Sequence, residues 1–244
     1  VACNEELLKP PAPGRSTRFV EIDISGDGAE NLRYETGDHA SILPGNDPVL
    51  VAATLNRIGA DHSRWFTVEG NTRPHFPVPT SVARAFVHEL DLCTRAPVAG
   101  LLELVLKKAC EDKDKRRIET LLEGQDRPDW ARTESEFLGK HTTVLSVLEE
   151  FPSAAVSAED LVLTLPLVKP RHYSISSSAE VHPRALQLTV GVLKVHNKEQ
   201  GTTRRGLCSH HLQRLTPGEL VRIRVRTSSF RAPARLADSP VIMV

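Results

Sequence analysis

Polar and apolar residues alternate along RSTRFVEIDIS, Arg15 to Ser25, where Val20, Ile22 and Ile24 fall two apart, the pattern of a half-buried strand. GDGAEN follows as a turn. Leu32 to Tyr34 and HASILPG, His39 to Gly45, add two short strand candidates on either side of a Thr36-Gly37-Asp38 corner. The period then lengthens. In NDPVLVAATLNRIGA, Leu50, Val51, Leu55 and Ile58 line one face of a helix that Asp47 caps, Pro48 opens and Gly59 ends. Helical spacing continues in TSVARAFVHELDL, in PVAGLLELVLKKACEDKDKRRIETLLEG, read as one element with a long charged face, and in HTTVLSVLEEF. It continues too in SAEDLVLTL, which opens on a Ser157/Asp160 capping pair. Strand character returns at Val168, in KPRHYSI, ALQLTVGVLKV and ELVRIRVR, separated by HPR and NKEQGTT. Strands at both ends around a helical middle predict an α+β fold: an antiparallel β-barrel assembled from both ends of the chain, with a helical insertion.

The boundaries follow from these shifts. Residues 1–14, with the Pro-rich PPAPG, read as a linker; 15–46 and 166–238 supply the two parts of the barrel, and 47–165 the insertion. The closing VIMV is an apolar, strand-like run without a polar tail, so residues 239–244 read as the start of a further domain, and the chain as a fragment of something longer.

Charge narrows the function classes. Lys plus Arg and Asp plus Glu number 31 each, so no global field favours nucleic acid or an anionic membrane, and any anion is bound by local geometry. The mixed-sign EDKDKRR reads as a solvated helix face. Cys3, Cys93, Cys110 and Cys208 are widely spaced without a CxxC pair. That argues against zinc and against a disulfide framework, and points to a reducing, cytoplasmic setting. No apolar run approaches membrane-spanning length, no metal-ligand spacing occurs among the ten histidines, and no GxSxG elbow follows Ser174.

What chemistry there is gathers late in the chain. PRHYSISSS places Arg171 and Tyr173 two apart, hence on one face of a strand, with Ser174 turned the other way. A cation beside an aromatic ring suits a flat, anionic ligand. About thirty residues on, RRGLCSHHLQRL offers Gly206 for close backbone approach and a helix opening at Leu207, Cys208 and Ser209. The amides at such a helix start accept an anion without net basic charge, and Arg171 supplies a bidentate partner for phosphate oxygens. Taken singly, Arg171 and Tyr173 read as a surface pair, Gly206 as a turn glycine and Cys208 as a small buried hydrophobe. In order, they describe a dinucleotide-like site.

PRHYSISSS, LTVGV and RRGLCSHHL, preceded by GDHASILPGND and LEEFPS, resemble the FAD-binding region of the diflavin reductases. That family includes cytochrome P-450 reductase, P-450 fusion reductases, the sulfite reductase flavoprotein and the reductase half of nitric oxide synthase. RSTRFVEIDI, GDHASILPGN, FLGKHTTVLSVLEEFPS and GLCS look closest to the nitric-oxide-synthase type, and the likeness is colinear from Arg15 to Val244.

The resemblance implies a six-stranded, ferredoxin-reductase-like flavin barrel, and it makes the helical insertion the connecting domain that orients an FMN module. It implies that Arg171 contacts the FAD pyrophosphate, that Tyr173 lies against the isoalloxazine and that Ser174 sits near flavin N5 and assists hydride transfer. Thr189, Val190 and Gly191 are implied as backbone contacts, and Gly206, Leu207, Cys208 and Ser209 as the pyrophosphate turn. His172 stands within the motif where an aromatic is usual, Val195 beside His196 where an adenine-stacking aromatic is usual, and Lys140 with His141 near a phosphate-contacting arginine. The implied activity carries electrons from NADPH through FAD to the FMN of a flavodoxin-like domain and on to a haem partner. The NADPH-binding residues lie beyond Val244, so the chain alone would bind NADPH poorly. Two rivals stand beside this reading: a P-450 or sulfite reductase type of acceptor, and a flavin-free docking module.

Overall fold

A computed structural model describes residues 1–9, 14–29, 31–69, 76–93, 98–123, 136–137, 139–199 and 201–229. The chain divides into two compact units. The first comprises Val1–Pro44, Pro170–Lys194 and the described part of Cys208–Val244; the second comprises Gly45–Lys169 and Val195–Leu207.

Antiparallel sheets make up the first unit. β1 (Cys3–Glu6), β2 (Thr17–Asp23) and β7 (Ala185–Gly191) form one sheet in the order β1-β2-β7; β10 (Arg222–Arg226), β3 (His39–Leu43) and β6 (Arg171–Ser174) form another in the order β10-β3-β6. An isolated bridge, Ile175↔Leu188, links the segment after β6 to β7. The alternation read in Arg15 to Ser25 is realised, since Val20 and Ile22 on β2 and Leu186, Leu188 and Val190 on β7 point inward. They meet Ala40 and Ile42 of β3 and Cys208 and Leu212 of α7 (Leu207–Arg214) in one core. Each buried aliphatic side chain there contributes about 1.5–3 kcal/mol.

Helices dominate the second unit. Its core joins Leu55 from α1 (Pro48–Arg57), Phe86 from α2 (Val82–His88), Leu102 and Val105 from α3 (Val98–Lys108) and Ile118 from α4 (Asp112–Leu122). Leu148 from α5 (Val144–Glu150) and Leu161 from α6 (Ala158–Thr164) complete it. Caps fix the ends: the Asp47 side chain accepts from Val49 N–H, and Thr143 and Ser157 close capping boxes on α5 and α6. Gly59 ends the α1 region at φ +62°, a left-handed conformation that suits glycine.

Several elements differ from the sequence reading. Cys3–Glu6, read within a linker, pair with β2 because Glu5 and Cys3 find ladder partners at Phe19 and Glu21. Leu32 to Tyr34 form no strand, because the Tyr34 side chain is committed to buried hydrogen bonds that hold the segment as an irregular turn. The long charged helix is two, α3 and α4, divided where Ala109 bridges Ala154 and Glu111 N–H donates to the Ser153 hydroxyl. Asp112 and Asp114 then suit the first turn of α4.

ALQLTVGVLKV is likewise two strands, β7 and β8 (Lys194–Asn197). Between them Val192 N–H donates to Ser16 carbonyl oxygen and Leu193 N–H to the Ser209 hydroxyl, at 2.9 and 3.1 Å. β8 pairs with β9 (Thr202–Arg205), and this hairpin from Val195 onward belongs to the helical unit. Short β4 (Trp65–Phe66) and β5 (Thr80–Ser81) also pair there, within a stretch read as helical. A closed six-stranded barrel is not among the pairings of the described residues. The VIMV run lies outside those residues.

Candidate functional site

Register assigns each residue of β6 a side. Arg171 pairs with Ile42 and Tyr173 with Ala40, both fully buried, so Arg171 and Tyr173 share the core-side face of the sheet. His172 and Ser174 pair with Ser41 and His39 and share the opposite face. Arg171 is exposed; Tyr173 is half-buried and packs against the core of the first unit.

Tyr173 packs against the core that holds Cys208, whose thiol donates to the Ile42 carbonyl at 4.0 Å. Burial pushes the phenol above its ordinary value, and the neighbouring thiol adds to the rise, while the Arg171 guanidinium opposes it. Burial likewise pushes the Cys208 thiol up to about 11, against the neighbouring Tyr173 hydroxyl and the charge of Arg171. Cys208 is therefore a protonated, buried thiol and no nucleophile.

Ser209 is buried and its hydroxyl accepts from Leu193 N–H at 3.1 Å, tying the first turn of α7 to the chain just after β7. Gly206 and Leu207 directly precede Cys208 in the chain, Leu207 as the first residue of α7. On β7, Thr189, Val190 and Gly191 pair with Phe19, Arg18 and Thr17 of β2. Val190 points into the core. On the side away from β2 no strand pairs with these three among the described residues. β6 and α7 thus bring Tyr173 and Cys208 together, whereas Ser174 is on the far side of the sheet from the Tyr173 ring.

Other expected positions are occupied differently. His172 Nε2 lies 3.1 Å from Arg226 Nη1, which donates to it. Val195 is exposed on β8, and His196 Nδ1 meets the Thr203 hydroxyl at 3.1 Å. Lys140 pairs with Glu150 at 3.8 Å. His141 turns inward against Phe137, ring centroids 4.4 Å apart, with Nδ1 donating to the Ser146 carbonyl. Burial lowers the His141 imidazole, opposed by Glu150 and by the Ser146 hydrogen bond; Lys140 and Arg117 lower it further.

Two supporting residues escaped the sequence reading. Tyr34 Oη bonds Ser177 Oγ at 2.8 Å and donates to Ala185 carbonyl oxygen at 3.0 Å, locking the turn between β6 and β7. Asn4 Nδ2 donates to the carbonyls of Leu212 and Leu215, at 2.8 and 2.6 Å, closing the C-terminal end of α7. The only available signals were a tyrosine beside a turn and an asparagine at the chain's start, neither of which names a distant partner.

The chain belongs to the family described as FAD binding domain, which matches residues 1–211. Its FAD-binding region is of the diflavin reductase type, and FAD is its cofactor. The chain is 35% identical to the inducible nitric oxide synthase of Bos taurus over 94% of its own length and 20% of the relative's. It is 34% identical to that of Sus scrofa (94% and 20%) and 35% identical to that of Homo sapiens (93% and 20%). It therefore spans about a fifth of these relatives. The family match sets aside the flavin-free docking module. Among the described residues no helix is long and apolar enough to cross a membrane, and no cluster of His, Cys, Asp and Glu could hold a metal.

Proposed function

We propose that the chain is the FAD-carrying module of a cytoplasmic, NADPH-dependent diflavin oxidoreductase of the nitric-oxide-synthase kind, with an FMN-binding, flavodoxin-like domain and a haem acceptor as partners. In this reading the six strands of the first unit close as the flavin barrel and the helical unit serves as the connecting domain. The observation that carries it is the match of residues 1–211 to the FAD binding domain family. The identity to nitric oxide synthases, spread over more than nine-tenths of the chain, supports the choice of branch.

The residues fit the group. Arg171 offers a charge-assisted donor to the pyrophosphate, the amides of Gly206 to Ser209 offer further donors, and Thr189 to Gly191 offer backbone contacts. Tyr173 orients the ring system and keeps water from one face. Ser174 holds a hydroxyl on the other side of β6, where a proton or hydride donor's approach would be steered. When bound, FAD supplies hydride acceptance and one-electron release; the protein holds, orients and electrostatically tunes it.

The test is the visible spectrum of the purified chain after incubation with FAD and desalting. Near-stoichiometric flavin, released as FAD rather than FMN on denaturation, is expected. A colourless chain with a native far-UV spectrum overturns the proposal.

A further inference from the structure

A cavity of about 420 Å³ opens within the first unit, between the segment after β2 and the turn from β6 to β7, and none of the expected flavin contacts lines it. That volume falls in the roughly 300–1,000 Å³ range of small-molecule sites. Ile24 and Tyr34, both buried, wall it together with Leu32, Ala179 and Pro183. Its polar edge has one sign: Arg33 and Arg184 line it beside Ser25, and among the described residues no acidic side chain does. Asp23, whose carboxylate accepts from Ser25 N–H at 2.8 Å and feels the Arg184 charge, is exposed and stands outside the lining. On a chain whose opposite charges balance at 31 each, two guanidinia on one apolar cavity are a local positive excess.

Hydrogen bonds hold the walls in place. Tyr34 Oη bonds Ser177 Oγ at 2.8 Å and donates to the Ala185 carbonyl at 3.0 Å, and Ser177 Oγ in turn accepts from Gln187 N–H at 3.1 Å. Ile24 N–H donates to the Arg184 carbonyl at 3.0 Å, which fixes the backbone carrying one guanidinium against the end of β2. His182 N–H donates to the Ser178 carbonyl at 2.8 Å and closes the turn on the other side. Arg33 Nη1 donates to the Leu32 carbonyl at 2.9 Å, a bond that takes one N–H of its guanidinium. Walls already ordered lose little freedom when a ligand enters.

We propose that this cavity binds a small organic anion, an apolar ring system carrying a phosphate monoester, at residues separate from those assigned to FAD. The rings displace water along Leu32, Tyr34 and Pro183, and Arg33 and Arg184 meet the two negative charges of the head with charge-assisted hydrogen bonds. The Ser25 hydroxyl offers one further donor at the same edge. A cavity of roughly 150 Å³ takes a single benzene ring, so this one has room for two fused rings. The inference stands whether or not FAD occupies its own site.

The experiment titrates naphthyl phosphate into the purified chain in the presence of excess FAD, by calorimetry, with naphthol and inorganic phosphate as the two halves of the probe tested separately. A Kd of about 1 mM or tighter is expected for the whole probe, and binding at least about fivefold tighter than either half. Arg33→Gln and Arg184→Gln, both at exposed positions, are each expected to weaken binding about fivefold or more, with Tm and FAD retention unchanged. Ala179→Leu, which fills the cavity from its wall, is expected to exclude the rings and leave the affinity for inorganic phosphate as it was. The absence of saturable binding overturns the proposal. So does a half that binds as tightly as the whole, because the apolar walls or the guanidinia would then be idle. Binding that survives both glutamine variants, or Ala179→Leu, places the probe elsewhere and overturns it too.

Discussion

Asn4→Ala tests whether the first strand governs the helix at the heart of the site. In the native chain the Asn4 amide donates to Leu212 and Leu215 carbonyls at 2.8 and 2.6 Å, with a longer contact to Gln213 at 3.4 Å. Its own oxygen accepts from Arg18 Nε at 2.9 Å, which orients the amide. Alanine strands the last carbonyls of α7 and frees one guanidinium N–H. Two neutral hydrogen bonds at about 0.5–1.5 kcal/mol each, plus part of one charge-assisted bond, give a loss of roughly 2–4 kcal/mol. For a chain of this size that lowers Tm by about 4–16 °C. Asn4→Asp keeps the oxygen facing Arg18 but removes both donors and sets a carboxylate against the negative end of a helix, so it is expected to be no better than alanine. Thermal unfolding by far-UV circular dichroism reads both, and FAD retention after desalting reports the effect on the ligand end of α7. A Tm change within 1–2 °C for both variants would refute the reasoning and demote the Asn4 contacts to surface decoration.

Arg171→Ala is expected to weaken FAD retention about 10- to 150-fold, the loss of a charge-assisted bond of roughly 1.5–3 kcal/mol, read by fluorescence titration; ordinary occupancy would remove Arg171 from the site. Ser174→Ala, in the full-length protein, is expected to slow stopped-flow flavin reduction more than it changes FAD affinity. Equal rates would end its assignment. Because the Cys208 thiol is raised from 9.0 to about 11 when folded, the unfolded chain loses this proton first, so stability is whole below pH 9 and falls as pH rises toward 11, by up to about 2–3 kcal/mol. Urea denaturation at pH 8, 9 and 10 should show the fall, shallower in Cys208→Ala. The buried His141 imidazole is lowered, so the unfolded chain gains a proton first and stability falls as pH drops below 6.5; His141→Phe should flatten that acid limb.

Much of the fold was legible because local rules decide it. Asp47 before Pro48, and Ser157 with Asp160, announce helix starts within four residues, and β2, β3, β6 and β10 obey period two. The misses have one cause, a partner far away in sequence. Cys3–Glu6 carry no strand signature and are held by β2. The α3–α4 break depends on Ala154, and the gap between β7 and β8 on Ser16 and Ser209. The candidate site follows the same rule. Arg171, Tyr173 and the Gly206 to Ser209 turn were proposed from residue type and order, whereas the packing of Tyr173 and Cys208 in one core, and the contacts of Tyr34 and Asn4, are properties of three-dimensional contact.

The pairing of β3 with β10 also constrains how the molecule is made. The helical core draws on residues between Val51 and Leu165, so most of its contacts are available early in synthesis. The first unit is different: β2 waits for β7, and β3 waits for Arg222–Arg226. At about 5–20 residues per second, β3 stands without its last partner for on the order of ten seconds or more. During that interval two alternating strands, β2 and β3, present unpaired edges of the kind that invite aggregation. Cells producing this protein would gain more folded material from chaperone cover over β2 and β3 during that interval than from any change to the helices.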